Sequence, residues 1–189
     1  MEGRCCMDRK KLKILFVGTM MWAASLWGQD HFPDPIPDSG VALAVTEVAT
    51  LPDSTPGNPP RMSVITEDPG GRLFVNDQRG PLYVVDETTG TVTEYLDLRD
   101  YSELALLSSF EPGFQSFAFH PDFHQPGEPG YGRFYTFHSS SNTSPAPDFD
   151  PGGSTSLHSV LLEWQADDPS ASSFAPAQAG QPYREILRF

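Results

Sequence analysis

Residues 69–86 have the sequence PGGRLFVNDQRGPLYVVD. Two short runs in this stretch, 72–75 and 82–86, are rich in aliphatic and aromatic residues, and turn-forming residues bound each of them. Runs of the same kind occupy residues 41–48, 62–66 and 92–96. Such runs, separated by turn signals at intervals of about ten residues, predict an antiparallel all-β meander. The only helical candidate is the short stretch 101–110.

The second half of the chain repeats this pattern. Its strand candidates are residues 114–119, 132–137 and 159–164, and residues 71–75 and 132–136 start equivalent strands 61 residues apart. We therefore predict an all-β fold class with antiparallel four-stranded blades, the first two or so of a β-propeller. Because a propeller needs about 4–8 blades, two blades cannot close a ring. Residues 139–156 are predicted to form a loop that is either functional or disordered.

The charged residues are unevenly placed along the chain. Five of the twelve cationic residues precede residue 14, and the chain beyond residue 29 holds 7 cations, 23 anions and no lysine. This net charge of −16 repels phosphate groups and anionic lipid head groups. We therefore expect no nucleic-acid partner and no membrane partner beyond export. Small neutral ligands and divalent cations are compatible with the charge.

The N-terminal residues have the pattern of an export signal. A basic stretch, residues 9–13, precedes the uncharged and mostly apolar residues 14–28, which are too few to span a bilayer, where about 20 are needed. This arrangement predicts a signal peptide within residues 1–28, starting at Met1 or Met7, and a periplasmic or secreted product. The alternative is an uncleaved anchor or a buried apolar helix.

Cleavage is expected after Ser25 or after Gly28. Both cysteines, Cys5 and Cys6, would leave with the signal peptide, so the mature chain could form neither a disulfide nor a thiolate metal site. The remaining chain is predicted to contain a Pro-rich leader with a first strand, residues 29–60, and the β domain, residues 61–189.

A short segment in the second half resembles a known family signature. Residues 117–123, FAFHPDF, with Arg-Phe-Tyr at 133–135, resemble the Ala-Phe-His-Pro-Asp-Phe signature of the glucose/sorbosone dehydrogenase family. Residues 69–86 are similar to the first blade of that family, and residues 95–98 to its end. The family includes soluble quinoprotein sugar dehydrogenases that use pyrroloquinoline quinone (PQQ). The resemblance covers roughly residues 60–189.

Members of this family are six-bladed propellers, so the resemblance implies an N-terminal fragment that holds the first two blades. It implies an exported oxidoreductase that oxidises the hydroxyl or hemiacetal carbon of a small-molecule sugar substrate with PQQ and calcium. The catalytic histidine, most cofactor contacts and the calcium ligands would lie outside this chain, which alone would be inactive. The alternative is a non-catalytic β-propeller binding module of the same superfamily. A self-sufficient small β domain is disfavoured, because two blades leave unpaired strand edges.

One candidate active-site residue follows from the resemblance. Glu111 corresponds to a Glu or Gln that faces the active centre in the family, although residues 114–116 depart from the family's Leu-Leu-Gly. A solvated loop carboxylate is the alternative interpretation of Glu111. Residues 148–153 resemble a calcium loop but lack its twelve-residue pattern and closing Glu.

The histidines favour structural interpretations. We expect His120 to make a structural hydrogen bond inside its blade, and Asp122 to be a turn residue that bonds its own backbone. His124, His138 and His158 share no metal-ligand spacing, so no metal site is predicted in this chain. The sequence contains no nucleotide-binding or serine-hydrolase motif.

Overall fold

The computed structural model describes residues 40, 44–149, 152 and 155–189. The chain divides into two compact units, Met1–Ala44 and Val45–Phe189, and the second contains every strand of the described residues. The predicted signal peptide and residues 41–43 of the first predicted strand lie outside the described residues. Within those described, no helix is long and apolar enough to cross a membrane.

The second unit contains two four-stranded antiparallel sheets, each with its strands in chain order. The first sheet consists of β1 (Met62–Glu67), β2 (Leu73–Asp77), β3 (Pro81–Asp86) and β4 (Thr91–Asp97). The second consists of β5 (Phe114–Phe119), β6 (Arg133–Ser140), β7 (His158–Gln165) and β8 (Tyr183–Arg188). Two 3₁₀ turns, Leu98–Asp100 and Ser102–Leu104, follow β4. These sheets confirm the predicted all-β fold class, and their arrangement is consistent with two propeller blades.

The second strands of the two sheets begin in the same way. Gly71 precedes β2 and Gly132 precedes β6, with φ angles of +83° and +71° that glycine adopts without the steric cost of a side chain. The 61-residue spacing therefore marks equivalent strands, as predicted. The buried rings of Phe74 and Phe134 are 60 residues apart, because the first sheet has one more residue between its glycine and the core.

Two predictions of local structure are wrong. The helix predicted at residues 101–110 is reduced to the 3₁₀ turn Ser102–Leu104, because Ala105 takes a left-handed conformation with φ of +48° and ends the turn. Residues 44–48 of the predicted first strand lie in no strand, and Val45 is 98% exposed. Strand formation depends on neighbouring strands and burial, so a run of β-branched residues does not form a strand by itself.

The two sheets pack face to face through aromatic side chains. The ring of Phe74 in β2 lies 4.7 Å from that of Phe119 in β5, and Tyr95 of β4 lies 5.7 Å from Phe134 of β6. Trp164 of β7 stacks on Phe134 with the ring centroids 6.1 Å apart. Burial of each such side chain stabilises the fold by about 1.5–3 kcal/mol. The aromatic core therefore joins the two sheets to each other.

A buried carboxylate ties three connections together at one end of the sheets. Asp68, whose side chain is fully buried, accepts hydrogen bonds from Arg72 Nε at 2.8 Å and from His124 Nε2 at 2.9 Å. Burial alone would raise the pKa of Asp68, but the hydrogen bonds from Arg72 and His124 outweigh it and lower the pKa. The Arg72 guanidinium also donates to the carbonyls of Pro169 and Ala171. This polar clasp joins the β1–β2, β5–β6 and β7–β8 connections.

Candidate functional site

Glu111 lies in the connection between β4 and β5, within a loop of residues 107–113 that we call the Glu111 loop. The loop lies at the end of the sheets opposite the polar clasp, where β2 ends and β5 begins. There the backbone N–H of Phe114 donates to the carbonyl of Gln78 at 2.7 Å. The Glu111 loop therefore joins the second sheet at Phe114, and the backbone of Phe114 is hydrogen-bonded to Gln78 at the end of β2.

Hydrogen bonds fix the backbone of the Glu111 loop. The carbonyl oxygen of Glu111 accepts hydrogen bonds from the side-chain amides of Gln78 and Gln115, the second at 2.7 Å. The Arg61 guanidinium donates to the carbonyl of Ser109 from the other side of the loop. Because the carbonyls of Ser109 and Glu111 are held in this way, the side chains of residues 109–111 project from a fixed main chain.

The side chain of Glu111 is free to meet a ligand. Glu111 is exposed, and its carboxylate has no hydrogen-bond or ion-pair partner among the described residues. Next to it, Phe110 is 85% exposed, and no sequence motif marks this residue. At Gly113 a Cβ would collide with the carbonyl oxygen of Gln78, so the loop can approach β2 this closely only with glycine there.

Buried polar side chains hold the strand ends behind the loop. Asn76 of β2 is fully buried, and its Oδ1 accepts the Val64 N–H at 2.8 Å while its Nδ2 donates to the Phe114 carbonyl at 2.7 Å. Asp77 accepts the Arg61 N–H at 3.0 Å. These bonds connect β1, β2 and β5 at the place where the Glu111 loop leads into β5.

The signature histidine lies far from Glu111. Nδ1 of His120 accepts the Asp122 N–H at 3.1 Å, which is the structural hydrogen bond predicted for it. Asp122 does lie in a turn, but its carbonyl, rather than its carboxylate, accepts the turn hydrogen bond from Gln125. His124 belongs to the polar clasp. The β5–β6 connection that contains these residues is at the end of the sheets opposite Glu111.

The structure brings two other histidines to neighbouring strands. His138 of β6 and His158 of β7 lie on the same face, two positions apart in the ladder. His138 is 1% exposed, and neither ring nitrogen has a hydrogen-bond partner in the described part of the chain. Burial lowers the pKa of His138 to about 4; the Leu104 backbone carbonyl opposes this shift, and the nearby Arg188 guanidinium adds to it. The imidazole is therefore neutral at pH 7.

The segment that resembles a calcium loop is bonded to a strand. Since β6 extends to Ser140, the connection from β6 to β7 begins later than predicted, at residue 141. The Asp148 N–H donates to the Arg188 carbonyl, and the Asp148 carboxylate accepts the Arg188 N–H, both at 2.8 Å. These bonds use the Asp148 carboxylate to hold the loop against the end of β8. Residues 150, 151 and 153 of this segment lie outside those described.

The residues around Glu111 do not fit PQQ. A tricarboxylate needs cationic or N–H donors, and the Arg61 guanidinium and the amides of Gln78 and Gln115 each already give one N–H to a backbone carbonyl. The Glu111 carboxylate would also repel it. Calcium takes about 6–8 oxygen ligands, and the described ranges contain no group of three or more side chains arranged to hold a metal ion. These residues therefore supply no site for either group.

No family model and no curated protein matches this chain. A solved structure that resembles it comes from Thermus thermophilus and is provisionally described as an oxidoreductase (glucose dehydrogenase). The two proteins share 13% sequence identity with a TM-score of 0.40, over 66% of this chain and 27% of the Thermus chain. This chain thus spans about a quarter of the length of that structure. A similarity of this size does not establish a shared activity.

Proposed function

We propose that this chain is the N-terminal part of an exported, quinoprotein-type oxidoreductase that oxidises the hydroxyl or hemiacetal carbon of a sugar. The observation that carries the proposal is the exposed, unpartnered carboxylate of Glu111 on a loop held by hydrogen bonds. By the sequence resemblance, Glu111 corresponds to a Glu or Gln that faces the active centre in that family. Residues 117–123, which carry that resemblance, follow on β5 and the turn after it.

The chemistry assigned to Glu111 is substrate orientation. Oxidation of a sugar requires that a hydroxyl group lose its proton and that the attached carbon lose a hydride. An ionised carboxylate is a strong acceptor, so Glu111 would hold a sugar hydroxyl by a charge-assisted hydrogen bond. PQQ and calcium, the cofactors that the resemblance implies, belong in this proposal to residues outside this chain.

One observation favours a second function, that of a non-catalytic β-propeller binding module. At the start of β5, Phe114, Gln115 and Ser116 stand where the family has Leu-Leu-Gly. Phe114 is fully buried, whereas the Gln115 amide donates to the Glu111 carbonyl. The wall beside Glu111 therefore differs from that of the enzymes, and such a wall could bind a ligand without supporting hydride transfer.

The decisive experiment is an activity assay on the protein encoded by the complete reading frame. The coding DNA is sequenced beyond the codon for Phe189, and the full protein is reconstituted with PQQ and calcium and mixed with an aldose and a redox dye. We expect dye reduction that requires the sugar and both cofactors. Glu111→Ala should lower kcat/KM by about tenfold or more, whereas Glu111→Gln, which keeps an acceptor oxygen, should retain most of it.

If the reconstituted protein reduces no dye with any aldose, the oxidoreductase proposal fails and the binding module is favoured. Export has a separate test, which is expression in a bacterial host and determination of the N-terminus of the periplasmic product. Cleavage at the predicted sites would leave Leu26 or Gln29 as the first residue. A product that keeps its N-terminal segment and stays with the membrane would instead support the uncleaved anchor.

A further inference from the structure

We propose that Phe110 and Glu111 together form a sugar-binding platform, on which the Phe110 ring supports the C–H face of a pyranose and the Glu111 carboxylate accepts one of its hydroxyl groups. This inference rests on the proposed function, because it names the part of the substrate that the Glu111 loop recognises. The platform adds a specificity-determining residue, Phe110, that the sequence resemblance does not include.

The exposure of Phe110 is the first observation. Its side chain is 85% exposed, whereas the ring of Phe114, at the start of β5, is fully buried. An isolated exposed apolar side chain is common and needs no functional explanation by itself. A functional role for Phe110 therefore depends on what surrounds it.

The fixed backbone is the second observation. On one side of Phe110, the Ser109 N–H donates to the Pro112 carbonyl at 3.1 Å, and the Ser109 carbonyl accepts from the Arg61 guanidinium. On the other side, the Glu111 carbonyl accepts two side-chain amides. An aromatic side chain on a fixed main chain loses little freedom when it binds, so more of the contact energy appears as affinity.

The third observation is the hydrogen-bonding character of the surroundings. The side-chain nitrogens of Gln78 and Gln115 both donate to the Glu111 carbonyl. Their amide oxygens have no hydrogen-bond partner among the described residues. Together with the Glu111 carboxylate, these oxygens present acceptors to a ligand. A neutral polyhydroxylated ring matches this set, since its hydroxyl groups donate while its C–H groups meet the electron-rich face of an aromatic ring.

The test measures binding without oxidation. Methyl β-D-glucopyranoside, which has no free hemiacetal hydroxyl, is titrated into the purified full chain and followed by saturation-transfer NMR. We expect Phe110→Ala to weaken the apparent Kd by about tenfold or more. The matched control is Phe149→Ala, because Phe149 is a phenylalanine of comparable exposure, 68%, in the β6–β7 connection. This control should change the Kd by less than about twofold.

The outcomes separate the platform from the oxidoreductase. Glu111→Ala should also weaken binding, and Glu111→Gln should preserve most of it; unchanged thermal unfolding of all variants shows that the fold is intact. Glucoside binding that depends on Phe110 supports the platform even if the dye assay of the full protein fails. The platform is overturned if Phe110→Ala binds the glucoside as well as the wild type does, or if the wild type shows no binding up to about 0.1 M.

Discussion

The second strands of the two sheets both contain fully buried polar residues, but their hydrogen bonding differs. In β2, both polar ends of the Asn76 side chain are bonded, one to β1 and one to β5. In β6, Thr136 accepts the indole N–H of Trp164 at 2.8 Å, whereas His138, two residues further on, has no hydrogen-bond partner among the described residues. The two strands have equivalent positions in their sheets, but they differ in whether their buried polar side chains are hydrogen-bonded.

This difference determines how much each buried polar group contributes to stability. A buried polar group adds little net stability while it is bonded, but an unpaired partner costs its full desolvation energy once the group is removed. Asn76 should therefore be costly to replace, because its side chain bonds backbone groups of two other strands. Replacing His138 leaves no hydrogen-bond partner unsatisfied among the described residues. The free-energy cost of burying this side chain appears when the imidazole must take up a proton.

The largest effect is expected from Asn76→Ala. This change removes the hydrogen bonds to the part-buried Val64 N–H and to the buried Phe114 carbonyl and leaves a cavity, so the free energy of unfolding should fall by about 3–5 kcal/mol. Urea unfolding measures the change. The control is Asn58→Ala, because the Asn58 amide bonds the Thr55 hydroxyl at 2.9 Å on the exposed surface and should cost less than about 1 kcal/mol. Similar losses for both variants would contradict the comparison.

His138 should make the stability depend on pH. Its pKa is lowered to about 4 in the folded chain, mainly by burial. Between the unfolded pKa of about 6.5 and pH 4, the unfolded chain binds a proton that the folded chain does not, so the free energy of unfolding falls as the pH is lowered. The full effect of this shift is about 3 kcal/mol. It is absent above pH 7 and complete below pH 4.

The variant His138→Leu isolates this contribution. It removes no hydrogen bond of the described residues, so at pH 7 its free energy of unfolding should be within about 1 kcal/mol of the wild type. At pH 4.5 it should be the more stable of the two proteins. Urea unfolding at both pH values gives the difference, and parallel pH profiles for the two proteins would show that His138 does not titrate as described.

A smaller effect is expected from Thr136→Val. The shape of the side chain is kept, but the fully buried Trp164 indole N–H loses its acceptor, which should cost about 1–2 kcal/mol. The control is Thr66→Val on β1, since the Thr66 hydroxyl makes only an exposed contact at 3.5 Å with the Glu67 carbonyl. Thermal unfolding compares the two, and equal shifts in Tm would mean that the indole bond contributes nothing measurable.

The smallest effect is expected on the opposite face of the second sheet. Arg184, 69% exposed, donates to the Glu163 carboxylate at 3.0 Å, and Glu163 is also contacted by Arg133 at 3.3 Å. Because the pair is screened by solvent, Arg184→Ala should change the free energy of unfolding by less than about 0.5 kcal/mol, and less still in high salt. A loss above about 1 kcal/mol in denaturant unfolding would show that exposed charges matter as much as the buried groups.

The strands could be predicted from the sequence because their signals are local. Residues 82–86 and 114–119 became β3 and β5 with at most one residue of error, since the strand-forming runs end at turn residues. The helix predicted at residues 101–110 is wrong because the leucines there favour a helix, whereas the chain must turn at Ala105 to reach β5. Intrinsic propensity is a weak guide where tertiary contacts set the path.

The candidate site could be predicted only in part. The resemblance identified Glu111, but it did not show how the side chain is placed. The amides of Gln78 and Gln115 bond the backbone carbonyl of Glu111 and not its carboxylate. The neighbouring positions of His138 and His158 follow from the pairing of β6 with β7, which spacing along the chain does not show. Phe110 belongs to no motif, and its exposure emerges only when the rest of the chain is folded.

The polar clasp has a consequence for the order of events during synthesis. The hairpins of the first sheet join residues that leave the ribosome close together, but Arg72 bonds carbonyls that lie 97 and 99 residues later in the chain. At about 5–20 residues per second, this delay amounts to roughly 5–20 s. In the first part of that interval, before Phe119 of β5 has been made, the apolar face around Phe74 has no second sheet to cover it. Until the second sheet begins to form, the new chain exposes apolar surface of the kind that chaperones bind. Arg72 can complete the polar clasp only after residue 171 has been made, and β8 follows later still.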